Sequence, residues 1–393
     1  MNVVSRIEAL DLIERARRVA AIAAAHADDV DVKARFPGEA VEAMKAERLL
    51  GIHIPVTFGG EGATTAEIAE VCSILGQACA AAAMIFSMHQ IKASSIVSHG
   101  AEAPWHQAFM KRIVDEQLLL GSATTEAGIG GNMRNSICAV EVDGDTCRLE
   151  KDATVISYGE EADAILVTSR SHAEAPPSDQ VMTVFLKGQY TLEKTHDWDT
   201  LGMRGTRSDG FLFKAEAPAE QILPKPFAEI AAQSMLANAH ILWSAVWYGI
   251  AADAVARAQS FVRAAARRTP GVTPPGALHL AEVSGELQLV KSNIVSALEH
   301  FEAAQGDEEK LSSMAFAVAI NNVKISSSQM ILTIINRCMI ICGIMGYKNG
   351  TPYSLGRHLR DAHSAQLMIS NDRILANSST MLLVQRPDTS LLG

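Results

Sequence analysis

Leu120 to Asn132 reads LGSATTEAGIGGN and holds the densest set of groups suited to gripping a ligand. Ser122, Thr124 and Thr125 offer hydroxyls, and Gly128, Gly130 and Gly131 let backbone approach a bound molecule closely. A plain tight turn between strands would use the same residues. Two later segments share this small, hydroxylated, glycine-punctuated character: Val155-Ile156-Ser157-Tyr158-Gly159 and Trp198-Asp199-Thr200-Leu201-Gly202-Met203-Arg204-Gly205-Thr206-Arg207-Ser208. His89 stands alone in a nearly uncharged stretch, where a packed core histidine is the plain reading. The six cysteines form no CxxC pair and lie beside no histidine pair. Cys338 and Cys342 are one helical turn apart, but no metal site is expected; buried thiols in a reducing compartment account for all six.

The elements that must position these residues follow from periodicity. Residues 5–27 carry Leu10, Ile13, Ala16 and Val19 along one stripe, which predicts an amphipathic helix. A second helix starts at Pro37 and stops before Gly51, residues 65–98 form a pair of buried helices, and Pro104 to Val114 closes a helical domain over 1–117. The period then shortens. Ser136–Val142, Cys147–Lys151, Ala164–Ser169, Val181–Leu186 and Phe211–Phe213 read as short strands, with a surface loop from Ser171 to Asp179. They predict an antiparallel β-barrel or sandwich over 118–222. Helices return at Ile230–Arg267, Pro275–Ala304, Glu308–Cys342 and Leu367–Leu383, a four-helix bundle over 223–393. The fold class is therefore α+β, mainly α.

In that order, the segments resemble the acyl-CoA dehydrogenase superfamily of flavoproteins over nearly the whole chain. TTEAGIGGN is similar to the family's T-E-P-G-A-G-S-D flavin loop, ISYG to its second flavin strand, and LGMRGTRS to its L-G-M-R-G-S-x-T segment. Ile54 to Gly62 resembles P-x-x-[YF]-G-G-x-G, and Arg357-His358-Leu359-Arg360-Asp361 resembles K-L-x-R-D. The resemblance implies FAD, with FMN as the alternative, held by Thr124, Thr125, Gly130, Gly131, Val155 and Ser157. It places His89 near an acyl pocket. It assigns the diphosphate and adenine to Arg267 and Thr269, where R-R-T-P-G replaces the family's R-x-x-F-G, and to a neighbouring subunit's Gly343-Ile344-Met345-Gly346-Tyr347 turn. A homotetramer is implied with it. Two departures stand out: Gly131 where the family has Ser, and Val155 where it has an aromatic residue, which opens space beside the flavin.

The family's reaction needs a carboxylate to take an α-proton while hydride leaves the β-carbon. The two places where its Glu occurs correspond to Ile369, within Met368-Ile369-Ser370-Asn371-Asp372-Arg373, and to Ala239, with His240 beside it. Neither is acidic. Asp372 lies three residues on, near the same helical face, and His240 titrates near neutrality, so these two are the candidate bases. Ser370 and Asn371 are candidates for binding a substrate carbonyl or hydroxyl.

Three readings follow: oxidation of an acyl thioester, on CoA or on an acyl or aminoacyl carrier protein, with an unusual base; a reduced-flavin-dependent monooxygenase, which needs no Glu; or an inactive flavin-binding partner subunit. The first ranks ahead. An electron acceptor or a flavin reductase is the implied partner. A net charge of -10 and a pI near 5.7, with no basic cluster, argue against a nucleic-acid surface. No apolar run is expected to reach the roughly twenty residues of a bilayer span, and the N-terminus lacks a signal-type apolar core. A cytoplasmic location is the expectation.

Overall fold

The computed structural model describes residues 3–130 and 132–386, with side chains from Asp11 onward. The chain opens on five helices: α1 Val3–Lys33, α2 Gly38–Ala46, α3 Thr65–Ala78, α4 Ala80–Gly100 and α5 Pro104–Glu116. The buried stripe of α1 runs through Leu12, Ala16, Val19, Ala23, Ala27 and Val30. It includes Leu12 where Ile13 was expected, and the helix extends to Lys33 because nothing breaks it before Ala34 turns left-handed at φ +49°. A capping box starts α3: the Thr64 hydroxyl accepts from the Glu67 N–H while the Glu67 carboxylate accepts from the Thr64 N–H. Helix α4 is buried nearly all round, as its nearly uncharged sequence requires, with Lys92 its one Lys, Arg, Asp or Glu residue.

Seven strands follow: β1 Leu120–Ala123, β2 Glu141–Asp143, β3 Thr146–Ile156, β4 Ala164–Arg170, β5 Gln180–Leu186, β6 Tyr190–His196 and β7 Asp209–Pro218. They form two open sheets, β1-β4-β5 and β2-β3-β7-β6, and not the expected closed antiparallel barrel. Strand β1 explains the difference. It is only four residues long and pairs in parallel with β4. Its Leu120 N–H donates to Nδ1 of His89 on α4, so a helix ends this sheet where a further strand would have closed it. Phe213 stacks on Tyr190 and meets Phe185 of the other sheet edge-on. The expected strand Ser136–Val142 shrinks to β2 because Ser136, Ile137 and Cys138 spend their hydrogen bonds on Glu126. Strand β6 is not among the expected strands; most of its residues are exposed.

The remaining helices are α6 Phe227–Ile230, α7 Leu236–Arg268, α8 Gly276–Glu302, α9 Glu308–Leu311, α10 Met314–Cys342, α11 Ile344–Tyr347, α12 Gly356–Leu367 and α13 Asn371–Leu382. A π-helical turn, Ala231–Met235, joins α6 to α7. The third expected bundle helix is interrupted, because Ser313 caps α10 afresh by accepting from the Phe316 N–H. The last expected helix corresponds to α13, and α12 before it was not expected; the two are separated at Met368–Ser370. Helix α10 is long and apolar enough by composition to cross a bilayer, contrary to expectation; here it packs against α7, α8, α12 and α13.

Candidate functional site

Beyond β1 the chain turns at Thr124 and Thr125, both half-buried. Strand β3 keeps register with β7 up to Ala153, slips, and resumes at Ile156, which frees Val155 from the ladder. The Thr125 hydroxyl fills that gap: it donates to the Val155 carbonyl at 3.0 Å and accepts from the Val155 N–H at 3.3 Å. The two glycine- and hydroxyl-bearing segments are thus tied together, with Ser157 two residues further on. The Ser157 hydroxyl is hydrogen-bonded to that of Ser208 at 2.8 Å, and Ser208 to that of Thr206 at 2.9 Å, which brings the third segment to the same place. Among the described residues no hydrogen bond takes the backbone N–H of Thr124, Thr125 or Ser157. Free backbone donors beside small side chains suit the carbonyl and ring-nitrogen acceptors of a flavin. Gly131 lies outside the described residues.

Glu126 anchors this loop from beneath. Its carboxylate accepts from the N–H of Ile137 and Cys138 and the Ser136 hydroxyl, and pairs with Lys151 at 3.5 Å. The Lys151 ammonium also donates to the Thr168 carbonyl at 2.6 Å, and neither side chain of the pair reaches solvent appreciably.

Facing the loop is the break between α12 and α13. A Cβ on Gly130 would lie 3.8 Å from Nη2 of Arg373, so the loop and the first turn of α13 are neighbours. At the break Ile369 is left-handed, φ +50°, a conformation that a β-branched residue adopts at a cost of about 1–3 kcal/mol. Its carbonyl accepts from the Lys324 amine at 2.7 Å. The same amine donates to Asn371 Oδ1 at 2.6 Å, while Asn371 Nδ2 donates to the Ser328 hydroxyl at 3.0 Å. Lys324 comes from α10, is wholly buried and lies 5.8 Å from the centre of the Trp247 ring. Burial without a carboxylate lowers its pKa to about 8.

Neither candidate base hydrogen-bonds to this amine. Asp372 is exposed in the first turn of α13, and the buried position beside it belongs to Asn371. Ser370 precedes α13 without capping it through its side chain. His240 is buried on α7 next to the buried Ala239; its Nδ1 faces the Ile320 carbonyl at 3.3 Å. Desolvation, then the Lys324 charge, push its pKa down to about 3, so it is neutral. Its Nε2 has no partner among the described residues, and neither do Trp243 Nε1, Ser244 Oγ and Trp247 Nε1. These four follow helical spacing and share one face of α7.

His89 holds two backbone segments. Its Nε2–H donates to the Leu50 carbonyl at 2.7 Å and its Nδ1 accepts from Leu120, which fixes the tautomer. Arg267 and Thr269 are exposed at the end of α7, and Gly343, at φ +56°, ends α10. Both sites lie at one end of the bundle, since the start of α8 at Gly276 meets Val262 and Ile341. Gly346 packs tightly on Cys342. The Met203 N–H donates to Asp361 Oδ1 at 2.7 Å, and Gly202 rests on the Arg360 carbonyl, so the LGMRG and RHLRD segments clamp sheet to bundle. An open groove of about 710 Å³ is lined by Arg148, Tyr190 and Lys214 of the second sheet and by none of the flavin-type segments.

A family model described as acyl-CoA dehydrogenase, N-terminal domain matches residues 8–116, and one described as acyl-CoA dehydrogenase, C-terminal domain matches 230–377. The chain belongs to the acyl-CoA dehydrogenase superfamily. Its relatives include the mitochondrial isovaleryl-CoA dehydrogenase of Pongo abelii, 25% identical over 179 residues, 44% of this chain and 42% of that one. Cyclohex-1-ene-1-carbonyl-CoA dehydrogenase of Geobacter metallireducens is 26% identical over 197 residues, 50% of this chain and 52% of the relative. The matches thus span about half the length of these relatives or less. Two solved structures share the fold over nearly their whole length. FMN-bound TdsC of Paenibacillus sp. A11-2 has a TM-score of 0.84 at 17% identity, covering 97% of this chain and 100% of that one. Butyryl-CoA dehydrogenase of Megasphaera elsdenii has a TM-score of 0.80 at 20% identity, covering 98% and 99%.

For a member of a flavin-dependent oxidoreductase superfamily, three side chains are missing from the sequence-based assignment: Glu126, Lys151 and Lys324. The signal for Lys324 was present. Ile320, Lys324, Ser328, Ile331 and Ile335 recur at helical spacing on α10, a buried stripe with one lysine in it.

Proposed function

We propose that this chain is a flavin-dependent oxidoreductase acting on an acyl thioester, carried by CoA or by an acyl or aminoacyl carrier protein. The observation that carries the reading is the junction itself: Thr125 and Val155 join two flavin-type segments, and Gly130 brings them against the α12–α13 break where the superfamily places its proton-accepting group. A bound flavin supplies a two-electron acceptor there. The chain holds the ring by the backbone at Thr124 and Thr125, by Gly130 and Gly131, and by Ser157, with Val155 leaving room beside it. FAD is the preferred form. Arg267 and Thr269 lie at the same bundle end as the Gly343–Gly346 turn, so with that turn supplied by a neighbouring subunit they would meet its adenosine diphosphate half. FMN, which lacks that half, is the alternative. Exposed Leu278, Leu289, Ile340, Ile344 and Tyr347 on α8, α10 and α11 support a homotetramer. The unpaired cysteines support a reducing compartment, the cytoplasm.

Dehydrogenation requires a proton acceptor. Among the described residues every buried carboxylate is bound elsewhere: Asp31 to Arg360, Glu126 to Lys151, Asp209 to Lys194 and Arg207, and Asp361 to the Met203 N–H. That lack supports a second reading, a reduced-flavin-dependent monooxygenase, and the dibenzothiophene monooxygenase TdsC shares the fold over 97% of this chain. Anaerobic addition of acyl-CoA and acyl carrier protein thioesters to the flavin-loaded protein separates the two. Bleaching of the 450 nm band by a thioester alone, about two electrons per flavin, supports thioester oxidation. Absence of bleaching, with oxygen uptake only once a flavin reductase is added, replaces it with the monooxygenase.

A further inference from the structure

We propose that Lys324 stands in for the absent carboxylate and takes the α-proton of the thioester on its amine lone pair. The inference rests on the thioester reading above. Its geometric basis is the occupancy of the break at Ile369. Lys324 is wholly buried, donates to the Ile369 carbonyl and to Asn371 Oδ1, and faces no carboxylate among the described residues. A neutral lysine amine has two N–H donors and one lone pair. The two donors match the two acceptors present, so a neutral amine is fully satisfied and its third position is taken by no hydrogen-bond partner among the described residues. An ammonium would carry a third donor into the protein interior with only the Trp247 ring near it, at 5.8 Å from the ring centre, and an uncompensated buried charge is disfavoured.

The surroundings keep the amine where it is. Asn371 cannot rotate its amide away, because Nδ2 donates to Ser328 while Oδ1 receives Lys324. The left-handed turn at Ile369 aims its carbonyl at the amine and leaves the isoleucine side chain elsewhere. His240, neutral and with Nε2 unpartnered among the described residues, is close enough to feel the Lys324 charge and adds no competing charge of its own. At pH 7 a lysine whose pKa has fallen to about 8 is deprotonated in about one molecule in ten, and the neutral share grows as pH rises. In the step assigned to it, the Cα–H bond breaks and its proton forms a new N–H bond on Nζ. The electron pair left behind makes the Cα=Cβ double bond as hydride departs from Cβ to the flavin, which is reduced by two electrons. Reoxidation by the electron acceptor and loss of the proton from Nζ complete the balance.

The test uses Lys324→Met and Lys324→Gln in the full-length, flavin-loaded protein with a thioester that bleaches the wild type. A positioned general base contributes about 10²–10⁴-fold, so bleaching in both variants should slow by at least about 100-fold. The wild-type rate should rise with pH to a plateau above the Lys324 pKa. Flavin absorbance on binding and the thermal midpoint should be retained, the Met variant matching or exceeding wild type because a buried amine has been replaced by an apolar chain. A readout on flavin-free protein is independent of turnover: tryptophan fluorescence, compared with a Trp247→Phe control that removes the Trp247 contribution from the four tryptophans, should change in one step near the Lys324 pKa in the wild type, and the Met variant should lack that step. Wild-type bleaching rates in both folded variants, or identical fluorescence titrations, overturn the role of Lys324 alone. A wild type that no thioester bleaches overturns the thioester reading and this inference with it.

Discussion

Glu126→Gln is expected to lower stability by about 3–5 kcal/mol and to release flavin, because it leaves Lys151 charged and buried without an anion. The pair is almost fully sheltered, with 0% of the Lys151 and 5% of the Glu126 side chain exposed. Desolvation pulls the Glu126 pKa upward, but the Lys151 charge and the bonds from Ser136, Ile137 and Cys138 outweigh it and hold the carboxyl below its ordinary value. The sign follows from linkage. A carboxylate depressed in the folded state stabilises it above the unfolded pKa, and that contribution disappears as pH falls through the lower folded value. The gap between wild type and Glu126→Gln should therefore be full at neutral pH and narrow on acidification below the ordinary glutamate range. Urea unfolding at pH 7 and at pH 4 measures it. Equal unfolding free energies at pH 7, within about 0.5 kcal/mol, would show that the pair does not anchor the loop. Removing both charges in Glu126→Met/Lys151→Met should recover most of the loss, since a buried pair replaced by apolar groups is often neutral. The flavin loop would remain loose in that double variant, because Ile137 and Cys138 keep their N–H groups and lose their acceptor.

Why the sequence disclosed some parts and concealed others has a physical answer. Periodicity is local, so α3, α4, α5, α8, β4 and β5 were legible to within a few residues. Closure of a sheet is not local. Nothing in LGSA states that its edge will be met by His89 on α4, which is what leaves two open sheets in place of a barrel. The turn that sets α13 off from α12 was hidden for a related reason: Ile369 is a poor residue for a left-handed turn, and it adopts one where Lys324, forty-five positions earlier, binds its carbonyl. The segments that resemble flavin loops do meet, through Thr125 and Val155. Two other motifs owe part of their character to packing: Gly202 and Asp361, 159 positions apart, are spaced by the contact between sheet and bundle. Asp372 and Asn371 show the limit of a one-dimensional count. They are adjacent, yet a helix turns one inward and the other out, and only the inward one touches Lys324.

Opposite signs are expected from one substitution at two helical glycines, Gly249→Ala on α7 and Gly285→Ala on α8. Glycine inside a helix is less favourable than alanine by about 0.5–1 kcal/mol, so the exchange stabilises wherever a methyl fits. At Gly285 a Cβ meets nothing within 4 Å, and that gain should be realised in full. At Gly249 the methyl would drive into the Ser73 carbonyl and sit 3.0 Å from the Gly76 Cα and 3.1 Å from the Gln77 N, all backbone of α3. Side chains can rotate away from such a clash; a helical backbone cannot. Only separation of α3 from α7 relieves it, and because Gly76 in turn has Val246 backbone against it, the separation spreads along the crossing. Overpacking of this kind costs about 1–3 kcal/mol, and with backbone on both sides the upper end applies, so the net result at Gly249 is a loss of about 2 kcal/mol after the propensity gain is subtracted. Calorimetric melting of the two variants beside wild type measures both. A Gly249→Ala protein that melts at or above wild type would mean the helices can part at no cost. The consequence for chemistry follows from position: Trp247, whose ring faces the Lys324 amine, lies two residues before Gly249, so a displaced α7 carries the indole with it. Gly249→Ala should therefore shift the pH step in Trp247 fluorescence as well as the melting temperature, and Gly285→Ala should leave that step in place.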